Sequence, residues 1–229
     1  MNTLYLVRHG ENRANITKEF SHTKVDYPLT EKGELQARQT AEYFRERHVD
    51  EVYSSPLKRA LQTAEMIAAT KGLPVTVIES LREVNSGSLE DTPPTEENWR
   101  IYLDTVQGWN EGRPEVALPG GENYYMLVDR IERAIGEIVG DRDGRQIVVA
   151  GHGGIFTAAI GLLCKNVEAD ELRSAHYHNC AISQLEVERT PDGRLEGVLI
   201  GWAYCDHLSG PAAELVSPIP DALVPAERS

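Results

Sequence analysis

Residues 3–11 read TLYLVRHGE, a run of apolar residues that ends abruptly in arginine, histidine, glycine and glutamate. Residues 3–8 have the continuous apolar character of a strand buried in the centre of a sheet. In sheets of parallel strands, ligands bind just beyond the carboxyl ends of the strands, where the loops into the following helices begin. The first predicted strand therefore delivers Arg8 and His9 to the edge at which a site would form.

The rest of the chain alternates between helical and strand-like patterns. The predicted helices begin at Glu34 and Pro56, cover about 96–106 and 122–139, and lead from the glycines at 151–154 to Leu163. The other predicted strands are 52–55, 75–78, 146–150, 181–187 and 197–204. Strands that alternate with helices predict an α/β fold, here a three-layer α/β/α sandwich with a mainly parallel central sheet.

A chain of 229 residues fits one compact α/β domain. We place that domain at residues 1–207. Residues 86–121 are irregular and rich in proline, glycine, glutamate and tryptophan, and they form a cap-like insertion in the domain. Residues 208–229 contain four prolines and are predicted to be a loosely packed C-terminal tail.

Composition restricts the partners and the compartment. The formal net charge of −13 argues against nucleic acid and anionic membranes as partners. The sequence has no apolar stretch of the roughly 20 residues that a membrane helix needs, and its N-terminus does not resemble a secretory signal. The three cysteines show no CxxC spacing, which favours free thiols in a reducing cytoplasm. The oligomeric state stays open, with a homodimer among the options.

Three clusters of reactive residues follow predicted strands: residues 8–11 (RHGE), 54–59 (SSPLKR) and 151–154 (GHGG). Glycines permit close backbone approach to a ligand, and helix starts offer free N–H groups to an anion. Arginine matches phosphate oxygens with two parallel hydrogen bonds. Each cluster alone is more often structural, but two histidines and two arginines at one sheet edge would be strongly cationic without an anion. The set predicts a phosphate site.

These residues resemble the histidine phosphatase superfamily, which includes the phosphoglycerate mutases and many small-molecule phosphatases. The resemblance rests on segments in family order: 6–11 (LVRHGE) with Asn15, 26–37 (DYPLTEKGELQA), 54–65 (SSPLKRALQTAE), 81–87 (LREVNSG), 119–123 (PGGEN) and 150–154 (AGHGG). It covers residues 4 to about 187. The RHG motif alone is moderately specific, whereas the ordered set is highly specific. The resemblance implies a phosphoglycerate mutase-like fold.

The resemblance also implies how phosphate would be handled. His9 would be the nucleophile and would form a phosphohistidine. Arg8, Arg59 and His152 would bind the phosphoryl oxygens and stabilise their charge, with Asn15 as an additional donor. A phosphoryl transfer of this kind needs a nucleophile, charge-stabilising donors and one proton shuttle. No metal and no cofactor are expected.

The proton shuttle is assigned by motif position. The resemblance implies that Glu83 protonates the leaving oxygen and then activates water, although Glu79 and Glu90 lie nearby in the sequence. We also place Gly153 and Arg82 among the substrate-binding residues, with a surface salt bridge as the alternative for Arg82. The histidines at 176 and 178 are not assigned to a metal.

Three functions are compatible with the sequence: a phosphatase, a mutase and a binding protein. Residues 86–121 carry several acidic residues and only two arginines. Such an acidic segment would bind the anionic phosphoglycerate poorly, which favours a phosphatase over a mutase. A binding protein that has lost catalysis is disfavoured because the implied catalytic set is complete. The partner is then a small phosphorylated metabolite of unknown identity. Two interpretations stay open for a set of aromatic residues: they form a wall of the pocket, or they pack in the core and the cap. These residues are Trp99, Tyr102, Trp109, Tyr124 and Tyr125.

Overall fold

The computed structural model describes residues 1–167, 172, 177–214, 216–217 and 219–223. The strands are β1 (Asn2–Arg8), β2 (Glu51–Ser54), β3 (Val75–Val77), β4 (Gln146–Gly151), β5 (Ile182–Arg189) and β6 (Leu195–Tyr204). The α-helices are α1 (Arg13–Thr17), α2 (Glu31–Arg45), α3 (Lys58–Lys71), α4 (Glu96–Asn110), α5 (Tyr124–Val139) and α6 (Gly153–Leu163).

The described strands form one sheet in the order β3-β2-β4-β1-β5-β6. Strands β1, β2, β3 and β4 pair in parallel, whereas β5 runs antiparallel to both β1 and β6. The sheet is therefore mainly parallel, as predicted. Its order places β1, β2 and β4 side by side, so the loops that follow these three strands meet at one edge.

Side chains of β1 alternate between two cores, one on each face of the sheet. Leu4 and Leu6 pack with residues of α5 and α6, whereas Tyr5 and Val7 pack with residues of α2 and α3. Because helices cover both faces, β1 is buried on both sides and needs an uninterrupted apolar sequence. This arrangement confirms the three-layer sandwich.

Most predicted boundaries lie within a few residues of the observed ones; α4 runs four residues further, to Asn110, and two helix starts differ. Thr30 caps α2 by accepting a hydrogen bond from the Gly33 N–H, so the helix begins before Glu34. The prediction that Pro56 opens α3 is wrong, because Leu57 is the N-cap and the helix starts at Lys58.

The region predicted as a cap contains α4 and a short 3₁₀ turn at Gly87–Asp91. Trp99 and Trp109 on α4 are buried in the same core as residues of α5 and α6. The insertion is therefore part of the larger core on this face of the sheet.

The beginning of the predicted tail packs more closely than expected. Leu208 and Ala212 are buried against α2, where the Gln36 side chain donates a hydrogen bond to the Ala212 carbonyl at 3.0 Å. The prediction of a loose tail is wrong for this stretch because apolar residues between the prolines find a core. Residues 215, 218 and 224–229 lie outside the described residues.

The start of α2 presses against the loop that follows β1. A Cβ on Gly33 would lie 2.0 Å from the Glu11 carbonyl oxygen, and a Cβ on Gly10 would lie 2.5 Å from the Gly33 carbonyl oxygen. The Glu11 carboxylate is buried there and pairs with Lys32 at 2.8 Å. This contact between two backbones fixes the segment that carries His9.

Gly33→Ala should lower the free energy of unfolding by about 1–3 kcal/mol, since the new methyl group collides with backbone that cannot move aside. Urea denaturation measures this change. Gly136→Ala is the matched control, because its nearest neighbour would be a flexible Arg189 nitrogen at 3.5 Å. The control should be neutral or stabilising by up to about 1 kcal/mol through helix propensity. Equal effects of both substitutions would contradict the contact.

Candidate active site

The carboxyl edge of the sheet brings together the residues that the sequence predicted to bind phosphate. Arg8 ends β1 and His9 follows it, Arg59 lies in the first turn of α3, and His152 is the N-cap of α6. All four are buried, with His9 only 3% exposed despite its place at a sheet edge. Arg8, His9 and Arg59 line one cavity, whereas His152 packs behind His9 with 5.2 Å between ring centroids.

Hydrogen bonds select one tautomer of His9. Nδ1 lies 2.7 Å from the Gly10 carbonyl oxygen, and because a carbonyl only accepts, Nδ1 carries the proton. Nε2 then has a lone pair, and it accepts a hydrogen bond from Arg59 Nε at 3.1 Å. Nε2 is thus the nitrogen whose lone pair is available, and it lies beside a guanidinium group.

Burial and cationic neighbours keep both imidazoles neutral. Burial, together with Arg59 and Arg8, lowers the pKa of His9 well below its usual value of 6.5. Burial and Arg59 do the same to the pKa of His152. Burial also lowers the pKa of Arg59 to about 10, which still leaves it charged at neutral pH. The site is therefore cationic through its arginines, and His9 keeps the lone pair that a nucleophile needs.

Besides Asn12 Nδ2 and Ser86 Oγ of the cavity lining, two buried polar atoms at this edge have no hydrogen-bond partner among the described residues: Arg8 Nε and His152 Nδ1. The rest of each side chain is held, since Arg8 donates to the Tyr177 carbonyl and His152 Nε2 lies 2.8 Å from Ser55 Oγ. An unsatisfied buried polar group costs about 1–3 kcal/mol. An anion at this edge would satisfy the Arg8 donor, which supports the prediction of a phosphate site.

Arg59 is held by a residue that sequence reasoning missed. Its two terminal nitrogens donate to the hydroxyl and to the carbonyl of Ser21, at 2.8 and 2.9 Å. Ser21 lines the same cavity. A serine in a polar loop carries no sequence signal of its own, so only the fold identifies this contact.

Asn15 lines the cavity, and Asn179 positions it. The Asn15 side-chain oxygen accepts hydrogen bonds from the Asn12 N–H at 3.1 Å and from Asn179 Nδ2 at 3.0 Å. Asn179 Nδ2 also donates to the His9 carbonyl at 3.0 Å. With its oxygen occupied, Asn15 offers its NH₂ group to a ligand. Asn179 was not predicted, because it lies beyond the motifs that carried the resemblance.

Glu83 lies across the start of α6. Its carboxylate accepts hydrogen bonds from the N–H groups of Gly154 at 3.1 Å and Ile155 at 3.0 Å. A Cβ on Gly154 would lie 2.6 Å from Glu83 Oε1, so glycine is required for this approach. The positive end of the helix dipole stabilises a carboxylate at this position. Glu83, Gly153 and Gly154 all line the cavity beside His9.

A buried ion pair holds the segment that carries Glu83. Arg130 pairs with Glu122 at 2.7 Å and donates to the carbonyls of Ser80, Arg82 and Glu83, at 2.8, 2.6 and 3.2 Å. Glu122 in turn accepts from the Asn85 N–H at 2.7 Å. Sequence reasoning placed Arg130 on a long helix and gave it no role, although Glu122 belongs to the PGGEN motif.

The other candidates near Glu83 lie elsewhere. Arg82 is absent from the cavity lining and pairs with Glu79 at 2.9 Å, the surface salt bridge given as its alternative. Glu90 accepts hydrogen bonds from the four backbone N–H groups of residues 22–25 and so fixes a loop.

His176 lies outside the described residues. Among those described, the structure brings together no group of three or more potential metal ligands, and no helix is long and apolar enough to cross a membrane.

Known proteins share this sequence pattern and fold. The sequence model of the histidine phosphatase superfamily (branch 1) matches residues 4–195. Probable phosphoglycerate mutase GpmB of Salmonella choleraesuis is 32% identical over 224 residues, covering 92% of this chain and 97% of its own. A mycobacterial glucosyl-3-phosphoglycerate phosphatase superimposes with a TM-score of 0.72 at 25% identity, covering 89% of this chain and 99% of that one. A phosphoserine phosphatase of Entamoeba histolytica, solved with 3-phosphoglyceric acid, gives 0.72 at 25% identity, covering 91% and 100%.

The lowered pKa of His152 should appear in the stability of the protein. An unfolded histidine has a pKa of about 6.5, so below that pH the unfolded chain binds more protons than the folded one. The free energy of unfolding should therefore fall as the pH is lowered from 7.5 to 5.5, by up to about 1.4 kcal/mol per pH unit for each such histidine. Urea denaturation at each pH measures the slope.

His152→Gln should reduce that slope because it removes one of the depressed histidines. His48→Gln is the control, since the His48 side chain is 68% exposed at the opposite edge of the sheet. His22 and His207, whose pKa values burial also lowers, account for part of the remaining slope. If His152→Gln left the slope unchanged, our conclusion that His152 is a neutral buried imidazole in the folded protein would be wrong.

Proposed function

The chain belongs to the histidine phosphatase superfamily, and on this basis we propose that it is a metal-independent phosphatase acting through a phosphohistidine on His9. Its substrate would be the phosphate monoester of a small molecule. The observation that carries the proposal is His9 Nε2, an unprotonated nitrogen held 3.1 Å from Arg59 Nε in a buried cationic site. The mycobacterial and Entamoeba neighbours, which are named as phosphatases, support the same reaction class.

In the first step, the lone pair of His9 Nε2 attacks phosphorus and the bond from phosphorus to the ester oxygen breaks. Glu83 takes up a proton from the monoanionic phosphate group that binds beside it and gives this proton to the ester oxygen, and the alcohol leaves. Arg59, which donates to Nε2 before substrate binds, turns its N–H to the phosphoryl oxygens, where Arg8 Nε and the Asn15 amide also donate. Arg8 Nε and the Asn15 amide, which are placed in advance, would stabilise the developing charge with little reorganisation.

In the second step, the Glu83 carboxylate takes a proton from water. The water oxygen attacks phosphorus, the bond from phosphorus to nitrogen breaks, and inorganic phosphate leaves with His9 regenerated. Glu83 suits both steps because it lines the cavity and the Arg130–Glu122 pair fixes its backbone. His152, which does not line the cavity, would act by packing behind the His9 ring and by its hydrogen bond to Ser55.

Phosphoglycerate mutase activity is the second candidate, because the Salmonella relative carries that name. Mutases and phosphatases of this kind share the nucleophile, so the distinction depends on whether water or a second substrate hydroxyl receives the phosphoryl group. Incubation with 3-phosphoglycerate and a trace of 2,3-bisphosphoglycerate separates them. Release of inorganic phosphate supports our proposal, whereas formation of 2-phosphoglycerate without phosphate release contradicts it.

His9→Asn should abolish turnover of p-nitrophenyl phosphate and the trapping of label from a ³²P-labelled substrate. Acid–base partition after a rapid quench should show acid-labile, base-stable label on the wild type only, the behaviour of phosphohistidine. EDTA should leave the rate unchanged, since guanidinium groups supply the charge stabilisation. His48→Asn is the control and should keep full activity. Label on another residue type, or activity that EDTA removes and Mg²⁺ restores, would overturn the proposal.

Glu83→Gln should slow phosphohistidine formation from an alkyl phosphate by about 10²–10⁴-fold, the usual contribution of general acid catalysis. An aryl phosphate with an acidic phenol should lose much less, because its leaving group needs no proton. Single-turnover quench measurements isolate this step from water activation. Glu79→Gln, with its side chain 75% exposed, is the matched control. Equal losses for the alkyl and aryl substrates would exclude Glu83 as the acid.

A further inference from the structure

The cavity that begins at His9 extends far beyond the phosphate-binding end. Its volume is about 410 Å³, within the range of pockets that hold drug-sized ligands and larger than a phosphate group needs. Helix α4 supplies much of its wall, through side chains such as Trp99, Tyr102 and Val106. The space beside the nucleophile therefore accommodates a substantial alcohol part of a phosphate ester.

Aromatic rings form one side of this space. Phe20 stacks on Trp99 with 4.6 Å between ring centroids, and Tyr102 lies 5.6 Å from Phe20 and 5.7 Å from Trp99. Burial, followed by the charge of Glu83, raises the pKa of Tyr102, so this residue stays neutral beside the catalytic end. Tyr102 and Glu83 line the same cavity, so the aromatic wall and the proposed proton shuttle face one space.

Several polar atoms of the wall already make hydrogen bonds within the protein. The indole N–H of Trp99 donates to the Lys18 carbonyl at 2.9 Å, and that of Trp109 donates to the Val116 carbonyl at 2.7 Å. Lys18 Nζ donates to the Ser217 carbonyl at 2.6 Å, and Asn110 Nδ2 donates to the Val106 carbonyl at 3.2 Å. A ligand in this space therefore meets mainly carbon atoms. A carboxylate or a sugar that packed against the rings of Phe20 and Trp99 would lose hydrogen bonds to water that these rings cannot replace, which is costly.

From this arrangement we infer that the substrate is a phosphate monoester whose alcohol part is apolar, an alkyl or aryl chain that packs against Phe20, Trp99, Tyr102 and Val106. The inference rests on the proposed function, because it assigns the leaving group of that same reaction. The phosphoryl group lies at Arg8, His9 and Arg59, and the apolar chain extends along α4. Small acidic esters such as phosphoglycerate fit the polar end but leave the apolar space unfilled.

A series of n-alkyl phosphates tests this assignment, since their leaving groups have nearly the same basicity and differ in apolar length. Each methylene transferred from water to an apolar wall should raise kcat/KM about fourfold. From propyl to hexyl phosphate the rise should approach about 60-fold. 3-Phosphoglycerate should be a poorer substrate than hexyl phosphate. No dependence on chain length, or a preference for phosphoglycerate, would overturn the inference.

Variants of Val106 locate the effect. Val106→Thr keeps the side-chain shape but adds a hydroxyl, and it should flatten the chain-length dependence. Val106→Lys should reduce kcat/KM for hexyl phosphate at least about tenfold and improve phosphoglycerate relative to it. Ile101→Lys is the matched control on the same helix, because Ile101 is exposed and does not line the cavity. An equal chain-length dependence in wild type and Val106→Thr would place the apolar contact elsewhere and refute this assignment.

p-Nitrophenyl phosphate turnover separates this inference from the proposed function. Wild-type protein that hydrolyses no phosphate ester refutes the phosphatase itself. Protein that hydrolyses p-nitrophenyl phosphate but treats propyl and hexyl phosphate alike refutes only the apolar substrate class. Circular dichroism of each variant confirms that the α4 substitutions leave the fold intact, and Val106→Thr, the mildest change, keeps the test valid if Val106→Lys does not fold.

Discussion

The structure depends on two buried guanidinium groups at the carboxyl edge of the sheet. Arg8 and Arg59 are 6% and 3% exposed, and their positive charges lie beside neutral imidazoles. Charges removed from water are costly unless they are paired. The chain supplies only part of the pairing, through Ser21, Tyr177 and the nearby Glu83 carboxylate. An anion such as the proposed phosphate ester would complete the pairing, so the free energy spent on burying the two charges would favour its binding.

Rigid contacts hold the segments that surround these two buried charges. Gly10 and Gly33 bring two backbones together behind His9, and the Arg130–Glu122 pair ties the Glu83 segment to α5. The start of α6 then receives the Glu83 carboxylate on its free N–H groups. Each element of the site therefore rests on a strand end, a helix end or a buried ion pair. The proposed nucleophile and proton shuttle would therefore be positioned before substrate arrives, which lowers the entropic cost of reaction.

The sequence predicted the residues tied to regular structure and missed those that reach the site through loops. His9, Arg59 and His152 follow strand patterns that a single sequence displays, so their meeting at one edge followed from the parallel sheet. Ser21 and Asn179 act through one hydrogen-bonding group each and leave no pattern. Arg82 was placed by its neighbour in a motif, yet its side chain extends toward Glu79. The prediction of a loose tail was wrong near Leu208 and Ala212 because proline content gives no information about the neighbouring apolar residues.

The division between what was predicted and what was not has a physical origin. Phosphate chemistry requires particular atoms at particular distances, and this requirement leaves ordered motifs in the chain. The wall formed by α4 requires only apolar surface of the right shape, which many side chains satisfy. Sequence likeness therefore identifies the superfamily, while similar proteins carry names for different reactions and substrates. In our proposal the carbon surface that lines the cavity with His9 selects the leaving group, and only the assembled cavity displays that surface.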